Sequence, residues 1–79
     1  MRKIEIYTRL GCGYCSAAKS MLTGMGIAFS EFDLTGDERG IQELIQRTGR
    51  RTVPQIFIDG ESIGGYEELV ALRTSGTLA

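Results

Sequence analysis

The sequence contains no histidine and no tryptophan, and it has only two cysteines and one proline among its 79 residues. A closed structural zinc site needs four ligands, usually cysteine and histidine, so such a site is excluded within one chain. No apolar run approaches the roughly 20 residues of a membrane-spanning helix. The N-terminal segment alternates like a strand and lacks the continuous apolar stretch of a signal peptide. We therefore expect a cytoplasmic protein without a membrane partner.

Charge and aromatic content also restrict the partners. Nine basic and ten acidic residues leave a net charge of -1, and the aromatic residues are three tyrosines and three phenylalanines. Nucleic-acid binding depends on an excess of positive charge and often on aromatic stacking, so we expect no nucleic-acid partner. One basic cluster, formed by Arg47, Arg50 and Arg51, is either a local anion site or the basic last turn of a helix.

The apolar periodicity predicts seven elements in the order β-α-β-α-β-β-α. Phe29 and Phe32 are the expected apolar anchors of the second strand. Asp37 is the expected N-cap of the second helix, and Gly49 ends that helix. The predicted strands cover residues 3–8, 27–33, 55–58 and 61–63, and the predicted helices cover 13–23 and 37–48 and begin again near 66.

The connections between these elements predict an α/β fold. The first two strands are joined through a helix and should be parallel. Asp59-Gly60 is a strong hairpin turn signal, so the last two strands should be antiparallel. The result is a four-stranded mixed sheet with helices on both faces. A chain of this length supports one domain, predicted over residues 1–79.

The two cysteines lie in the segment GCGYC, residues 11–15, between the first strand and the first helix. A metal site would have to be shared between subunits. A structural disulfide between Cys12 and Cys15 would close a very short loop, which removes little entropy from the unfolded chain, and the cytosol would keep it reduced. Redox chemistry fits the segment better, because C-x-x-C at a strand-to-helix junction is typical of a dithiol site.

The position of each cysteine predicts its role. Cys12 lies at the helix N-terminus, where free N–H groups and the helix dipole stabilise a thiolate. Arg9 can add positive charge, and Lys19 lies on the Cys12 side of the helix at a greater distance. Cys15 lies one turn into the helix, is expected to be better buried, and can attack a mixed disulfide formed at Cys12.

Two further segments leave alternatives open. Pro54, in the segment TVP, is a strand-entry proline, and statistics alone favour a trans bond before it. Gly64-Gly65 leads into Tyr66-Glu67-Glu68 at a helix N-terminus. The acidic residues there suit the helix dipole, and the exposed N–H groups could equally bind a carboxylate.

Three segments together, YTRLGCGYC, RTVPQIFIDG and IGGYEEL, resemble the glutaredoxin family, of the short bacterial dithiol kind. The resemblance runs from near residue 4 to about residue 74. It implies a thioredoxin-like fold and a cis Val53–Pro54 bond. It also implies a glutathione-dependent thiol–disulfide oxidoreductase that reduces protein–glutathione mixed disulfides and protein disulfides, with Cys12 as the nucleophile and Cys15 as the resolving thiol.

The resemblance further implies glutathione as co-substrate, bound in a groove beside the cysteines. The backbone of Val53 would pair with the extended tripeptide, and Arg9 would meet its glycine carboxylate. The γ-glutamyl end would meet the third helix start, and Tyr14 would flank the thiolate. The implied glutathione-binding residues are Arg9, Tyr14, Thr52, Val53, Pro54, Gly65, Tyr66 and Glu67.

Two departures from the family pattern widen the prediction. Gly13 replaces the usual proline, which loosens the loop. Some family members without that proline hold a 2Fe–2S cluster between two subunits, so the alternative function is a dimeric cluster carrier or sensor that uses Cys12 and glutathione. Otherwise we expect a monomer. Tyr66-Glu67-Glu68 stands where a small residue or cysteine and then aspartates are usual, and glutamate is the poorer N-cap.

A third interpretation is a thioredoxin-like electron donor that a flavoprotein reductase, and not glutathione, reduces. Arg9 and residues 65–67 argue against it, because they resemble glutathione contacts. The protein partners expected under the first interpretation are glutathionylated or disulfide-containing proteins.

Overall fold

The computed structural model describes residues 2–78, and its elements follow the predicted order. The predicted domain of residues 1–79 also includes Met1 and Ala79, which lie outside the described residues. None of the helices within residues 2–78 has the length and apolar character to cross a membrane. The elements are β1 (Ile4–Thr8), α1 (Gly13–Gly24), β2 (Ser30–Asp33), α2 (Glu38–Thr48), β3 (Gln55–Ile58), β4 (Glu61–Gly64) and α3 (Tyr66–Thr74).

The four strands form one mixed sheet in the order β2-β1-β3-β4. β1 and β2 are parallel, and Tyr7 lies opposite Phe32 in their register. β3 is antiparallel to both β1 and β4. In the turn between β3 and β4, Asp59 and Gly60 have φ values of 52° and 84°, as the two central residues of a type I′ hairpin turn require. The predicted parallel pair, hairpin and thioredoxin-like architecture are confirmed.

Each face of the sheet buries its own core because successive strand residues point to opposite sides. Ile6 and Ile56 are fully buried on the face covered by α1 and α3, together with Leu22 and Leu69. Phe57 points to the other face and packs with residues of α2 and with Leu34, which follows β2. The prediction of helices on both faces is therefore correct.

The second strand begins later than predicted, at Ser30 instead of Ile27. The reason is the end of α1: Gly26 has a φ of 72°, its N–H bonds the Thr23 carbonyl, and the Ile27 N–H bonds the Leu22 carbonyl at 2.9 Å. These two bonds form a Schellman motif. The Ile27 N–H is therefore bonded to the end of α1 and not to a neighbouring strand.

The expectation for Phe32 as a core anchor is wrong. β2 is an edge strand and all its residues are exposed, Phe32 at 40%. Its ring instead stacks on Tyr7 at a centroid distance of 4.9 Å. Phe29 is partly buried against the core below α1 and α3. An edge strand has a neighbour on one side only, so its side chains receive less cover than those of a central strand.

Local sequence signals fix the ends of α2. The Asp37 carboxylate accepts a hydrogen bond from the Gly40 N–H at 2.9 Å, which caps the helix as predicted. Gly49 ends the helix with a φ of 74°. Arg47, in the last turn, donates to the Tyr7 hydroxyl at 2.9 Å, and its guanidinium carbon lies 4.0 Å from the centre of the Phe57 ring. Arg47 therefore stabilises the packing of α2 on the sheet.

Candidate active site

Cys12 is the N-cap residue of α1. Its sulfur accepts a hydrogen bond from the Cys15 N–H at 3.2 Å and lies 3.6 Å from the Val53 carbonyl oxygen, to which the thiol donates. The first turn of α1, GYCS, carries no acidic side chain that would compete with the Cys12 sulfur for the positive end of the helix dipole. The Cys12 sulfur thus lies at a helix N-terminus, which is a typical position for a reactive cysteine.

Cys15 has a contrasting environment, although both cysteines are free thiols. It is only 2% exposed and belongs to the buried face of α1. The pKa of Cys15 is raised to about 11. Burial is the main cause, and the hydrogen bond with Cys12 is the second. A hydrogen bond with the Arg9 backbone and the charge of Lys19 oppose that rise. The two cysteines thus differ: Cys12 is half-buried at the helix cap, and Cys15 is a buried thiol that keeps its proton at neutral pH.

A groove of about 280 Å³ lies between the segment before β3 and the start of α3. Its wall includes Val53, whose carbonyl oxygen lies 3.6 Å from the Cys12 sulfur. The groove brings together all but one of the predicted glutathione-binding residues. The Val53–Pro54 bond in its wall is cis, as the resemblance implied. The groove is lined by Tyr14, Arg50, Thr52, Val53, Pro54, Gln55, Gly65, Tyr66, Glu67 and Glu68.

Two aromatic rings form one end of this groove. Tyr14, from the first turn of α1, is 66% exposed. Its ring centroid lies 5.7 Å from that of Tyr66, the first residue of α3. The two rings therefore join the start of the cysteine helix to the start of α3 across the groove.

The start of α3 explains the two glycines and the acidic residues after them. The Glu68 carboxylate accepts the Gly65 N–H at 2.6 Å, so a glutamate at the third helical position caps the helix. Gly64 has a φ of 104°, and a Cβ there would strike the Glu68 side chain. A Cβ on Gly65 would meet the Pro54 carbonyl oxygen at 3.1 Å. The expectation of a weaker cap overlooked this return contact, which a glutamate is long enough to make.

Arg9 is the one predicted glutathione-binding residue that does not line the groove. It lines a second cavity, of about 310 Å³, together with both cysteines and Lys19. The loop that carries Arg9 is fixed by a 2.8 Å hydrogen bond from the Leu10 N–H to the Thr35 hydroxyl. The two cavities share no lining residue, and Cys12 lines the second.

Arg50 and Gln55 line the groove but were not among the predicted site residues. Arg50 is exposed and lies 4.0 Å from the Glu68 carboxylate. The sequence signal for Arg50 is the basic cluster Arg47, Arg50 and Arg51, for which a local anion site is one of the two interpretations given above. Gln55 is 1% exposed and donates to the Thr52 hydroxyl at 3.2 Å. That contact was not visible in the sequence, because the strand pattern gives Gln55 no special position.

Comparisons with known proteins agree with the geometry. The family model Glutaredoxin matches residues 4–63. Glutaredoxin 3 of Escherichia coli strain K12 is 46% identical over 78 residues, covering 99% of this chain and 94% of that protein. The crystal structure of glutaredoxin 1 from Francisella tularensis, complexed with cacodylate, is 36% identical with a TM-score of 0.82 and full coverage of both chains.

The buckwheat glutaredoxin–glutathione complex is 31% identical with a TM-score of 0.86, covering 98% of this chain and 73% of that one. The fold of a glutathione-bound protein is therefore also the fold seen here. With the family model over most of the chain and a relative matched almost end to end, the chain belongs to the glutaredoxin family of glutathione-dependent thiol–disulfide oxidoreductases.

Proposed function

We propose that Cys12 is the nucleophile that accepts glutathione from protein–glutathione mixed disulfides, and that Cys15 resolves the disulfides formed with protein thiols. The observation that carries this assignment is the Cys12 sulfur at the helix cap, 3.2 Å from the Cys15 N–H. A thiol attacks as its thiolate and must be accessible to its substrate. Cys12 is the more accessible of the two, because Cys15 is 2% exposed and burial raises its pKa to about 11.

Glutathione is the co-substrate, and the groove beside Cys12 is its proposed binding site. The extended tripeptide would lie along residues 52–54, with Val53 supplying backbone hydrogen bonds as in strand addition. Its γ-glutamyl carboxylate would meet the N-terminus of α3 beside Gly65, where the backbone N–H groups of Tyr66 and Glu67 and the helix dipole favour an anion. The Gly65 N–H itself is bonded to the Glu68 carboxylate. The buckwheat relative is described as a glutathione complex, which supports glutathione as the ligand.

The glycine carboxylate has two candidate cations. Arg9 was predicted for this contact, and it lines the second cavity together with Cys12. Arg50 lines the groove itself, and a guanidinium binds a carboxylate well because its N–H groups form a planar fork. We therefore propose Arg50 as an alternative to Arg9 for contact with a glutathione carboxylate, and separate substitutions of the two arginines distinguish them by their effects on the glutathione KM.

The chemistry proceeds in two exchanges. The Cys12 thiolate attacks the glutathione sulfur of the mixed disulfide, and the protein thiolate leaves with the electron pair and takes a proton from solvent. A second glutathione thiolate then attacks the glutathione sulfur on Cys12, which releases glutathione disulfide and restores Cys12. Each step breaks one S–S bond and forms another, so the atoms and electrons balance.

Turnover of a small glutathione mixed disulfide tests the assignment, with NADPH, glutathione and glutathione reductase as the coupled reducing system. We expect Cys12→Ser to abolish turnover and Cys15→Ser to retain most of it. A Cys12→Ser protein that still turned over would refute the mechanism. If neither wild type nor Cys15→Ser turned over, coupling to a thioredoxin reductase would be the next assay.

The cluster alternative is less favoured. Among residues 2–78, no group of three or more His, Cys, Asp or Glu side chains is placed to hold a metal ion within one chain. A 2Fe–2S cluster would need thiolates from a second chain and from glutathione, and we derive no step through it. Brown colour after anaerobic reconstitution, lost in Cys12→Ser, would support the alternative. Monomeric state, cytoplasmic location and protein partners stay predictions.

A further inference from the structure

The second cavity contains an ion pair that the glutathione exchange does not use. Lys19, on α1, places its ammonium 2.9 Å from a carboxylate oxygen of Glu31 on β2. The Thr8 hydroxyl, at the end of β1, donates to the same oxygen at 2.7 Å. Thr8 is 2% exposed, while the Lys19 and Glu31 side chains are about one-third exposed, at 34% and 35%. Three elements therefore hold one ammonium at the cavity.

The helix geometry relates this ammonium to Cys15. Lys19 follows Cys15 by four residues, which places both side chains on the same face of α1. Both residues line the second cavity, together with Cys12. The sequence had associated Lys19 with Cys12, seven residues earlier. On α1, Lys19 is only four residues from the buried Cys15 thiol.

The resolving step needs this thiol to lose its proton in an unfavourable place. Burial holds the pKa of Cys15 high, and the Lys19 charge acts in the opposite direction. The other charged groups that line the cavity are Arg9, Glu31 and Asp33. Glu31 has a lowered pKa because of its bonds to Lys19 and Thr8, so its negative charge is committed to that pair.

We propose that Lys19 stabilises the Cys15 thiolate in the resolving step, and that Glu31 and Thr8 are positioning residues that hold its ammonium at the cavity. The inference rests on the proposed two-cysteine mechanism. In that step the Cys15 thiolate attacks the Cys12 sulfur of a mixed disulfide with a protein substrate. The Cys12–Cys15 bond forms, the bond to the substrate sulfur breaks, and the electron pair leaves with the substrate thiolate. That thiolate takes up a proton from solvent, which balances the proton that Cys15 released to solvent.

The first experiment measures Cys15 ionisation without any turnover. All proteins carry Cys12→Ser, so that Cys15 is the single cysteine. The rate of iodoacetamide alkylation of Cys15 is measured as a function of pH in the protein that retains Lys19 and in the Lys19→Gln and Lys19→Arg variants. Loss of the cation should move the midpoint of the profile to higher pH and slow alkylation by roughly three- to tenfold below it, as expected for one partly exposed charge. Lys19→Arg should retain the original profile, because it keeps the charge and can pair with Glu31.

A matched control separates this effect from a general loss of charge. Lys3 is an exposed lysine whose ammonium lies 3.9 Å from the Glu5 carboxylate on β1. Lys3 precedes β1, whose other end leads to the segment that carries the cysteines. Lys3→Gln therefore removes the same charge at a distant position and should leave the alkylation profile of Cys15 unchanged. Thr8→Val removes a donor to Glu31 without changing any charge, and it should give a smaller shift in the direction of Lys19→Gln.

The second experiment compares two rates in the protein with both cysteines. Lys19→Gln should slow reduction of a peptide disulfide, which needs Cys15, more than it slows turnover of a small glutathione mixed disulfide. Equal slowing of both reactions, an unshifted alkylation profile, or an equal shift in Lys3→Gln would overturn the proposal. Failure of the proposed function would appear differently, as absent turnover in wild type, while the alkylation profile would still report on Lys19.

Discussion

The buried thiol should make the free energy of unfolding fall at alkaline pH. Cys15 has a pKa of about 11 in the folded protein, against roughly 8.5 for an unfolded cysteine. A group whose pKa is raised on folding binds its proton more tightly in the native state. The stability it contributes is therefore complete below about pH 8.5 and is lost as the pH rises towards 11.

The size of this loss follows from the two pKa values. At pH 10 the unfolded thiol is almost fully ionised while the folded one is about one-tenth ionised, which lowers the free energy of unfolding by about 2 kcal/mol relative to pH 7. A small domain has roughly 5–15 kcal/mol of stability in total. The effect is thus large enough to measure by urea denaturation under reducing conditions.

Cys15→Ala provides the matched control, because it keeps every other titrating side chain. Between pH 7 and pH 10, wild type should lose about 2 kcal/mol more than Cys15→Ala. Tyrosine and lysine titration affects both proteins and cancels in the comparison. If both proteins lost the same stability, the buried thiol would not be held in its protonated form and the assignment of Cys15 as the protected resolving thiol would lose its physical basis.

Three other substitutions test the fold and the groove. Ile6→Ala removes a fully buried side chain and should lower the free energy of unfolding by about 2–5 kcal/mol in urea denaturation. Asp37→Ala removes the N-cap of α2 and should cost about 1 kcal/mol by the same measurement. Gly65→Ala places a Cβ 3.1 Å from the Pro54 carbonyl oxygen and should raise the glutathione KM. Gly24→Ala, whose Cβ would meet nothing within 4 Å, should leave KM unchanged.

The separation of the two cavities has a consequence for how the two thiols work. The groove lined by Val53 and Tyr66 and the cavity lined by Lys19, Glu31 and both cysteines share no lining residue. In the proposed mechanism, glutathione exchange and resolution therefore draw on different side chains. Substitutions on one side should change one reaction more than the other, which gives each proposed role its own kinetic signature.

Much of the fold follows from signals that operate within a few residues. The Asp37 cap, the Gly49 helix end and the Asp59-Gly60 turn depend on local hydrogen bonds and on φ values that few residue types adopt. Such features are encoded where they occur, so the element order was predictable. The placement of Cys12 at a helix start has the same local origin.

The tertiary structure decided which distant residues meet. The sheet order β2-β1-β3-β4 leaves β2 at the edge, which exposes Phe32 and brings Glu31 against Lys19. The packing also places Arg50 in the groove and Arg9 in the second cavity. Residue types and spacing identified the two thiols and predicted the order of action that we propose. Which charges surround each thiol depends on contacts between residues far apart in the chain, and local sequence signals do not specify those contacts.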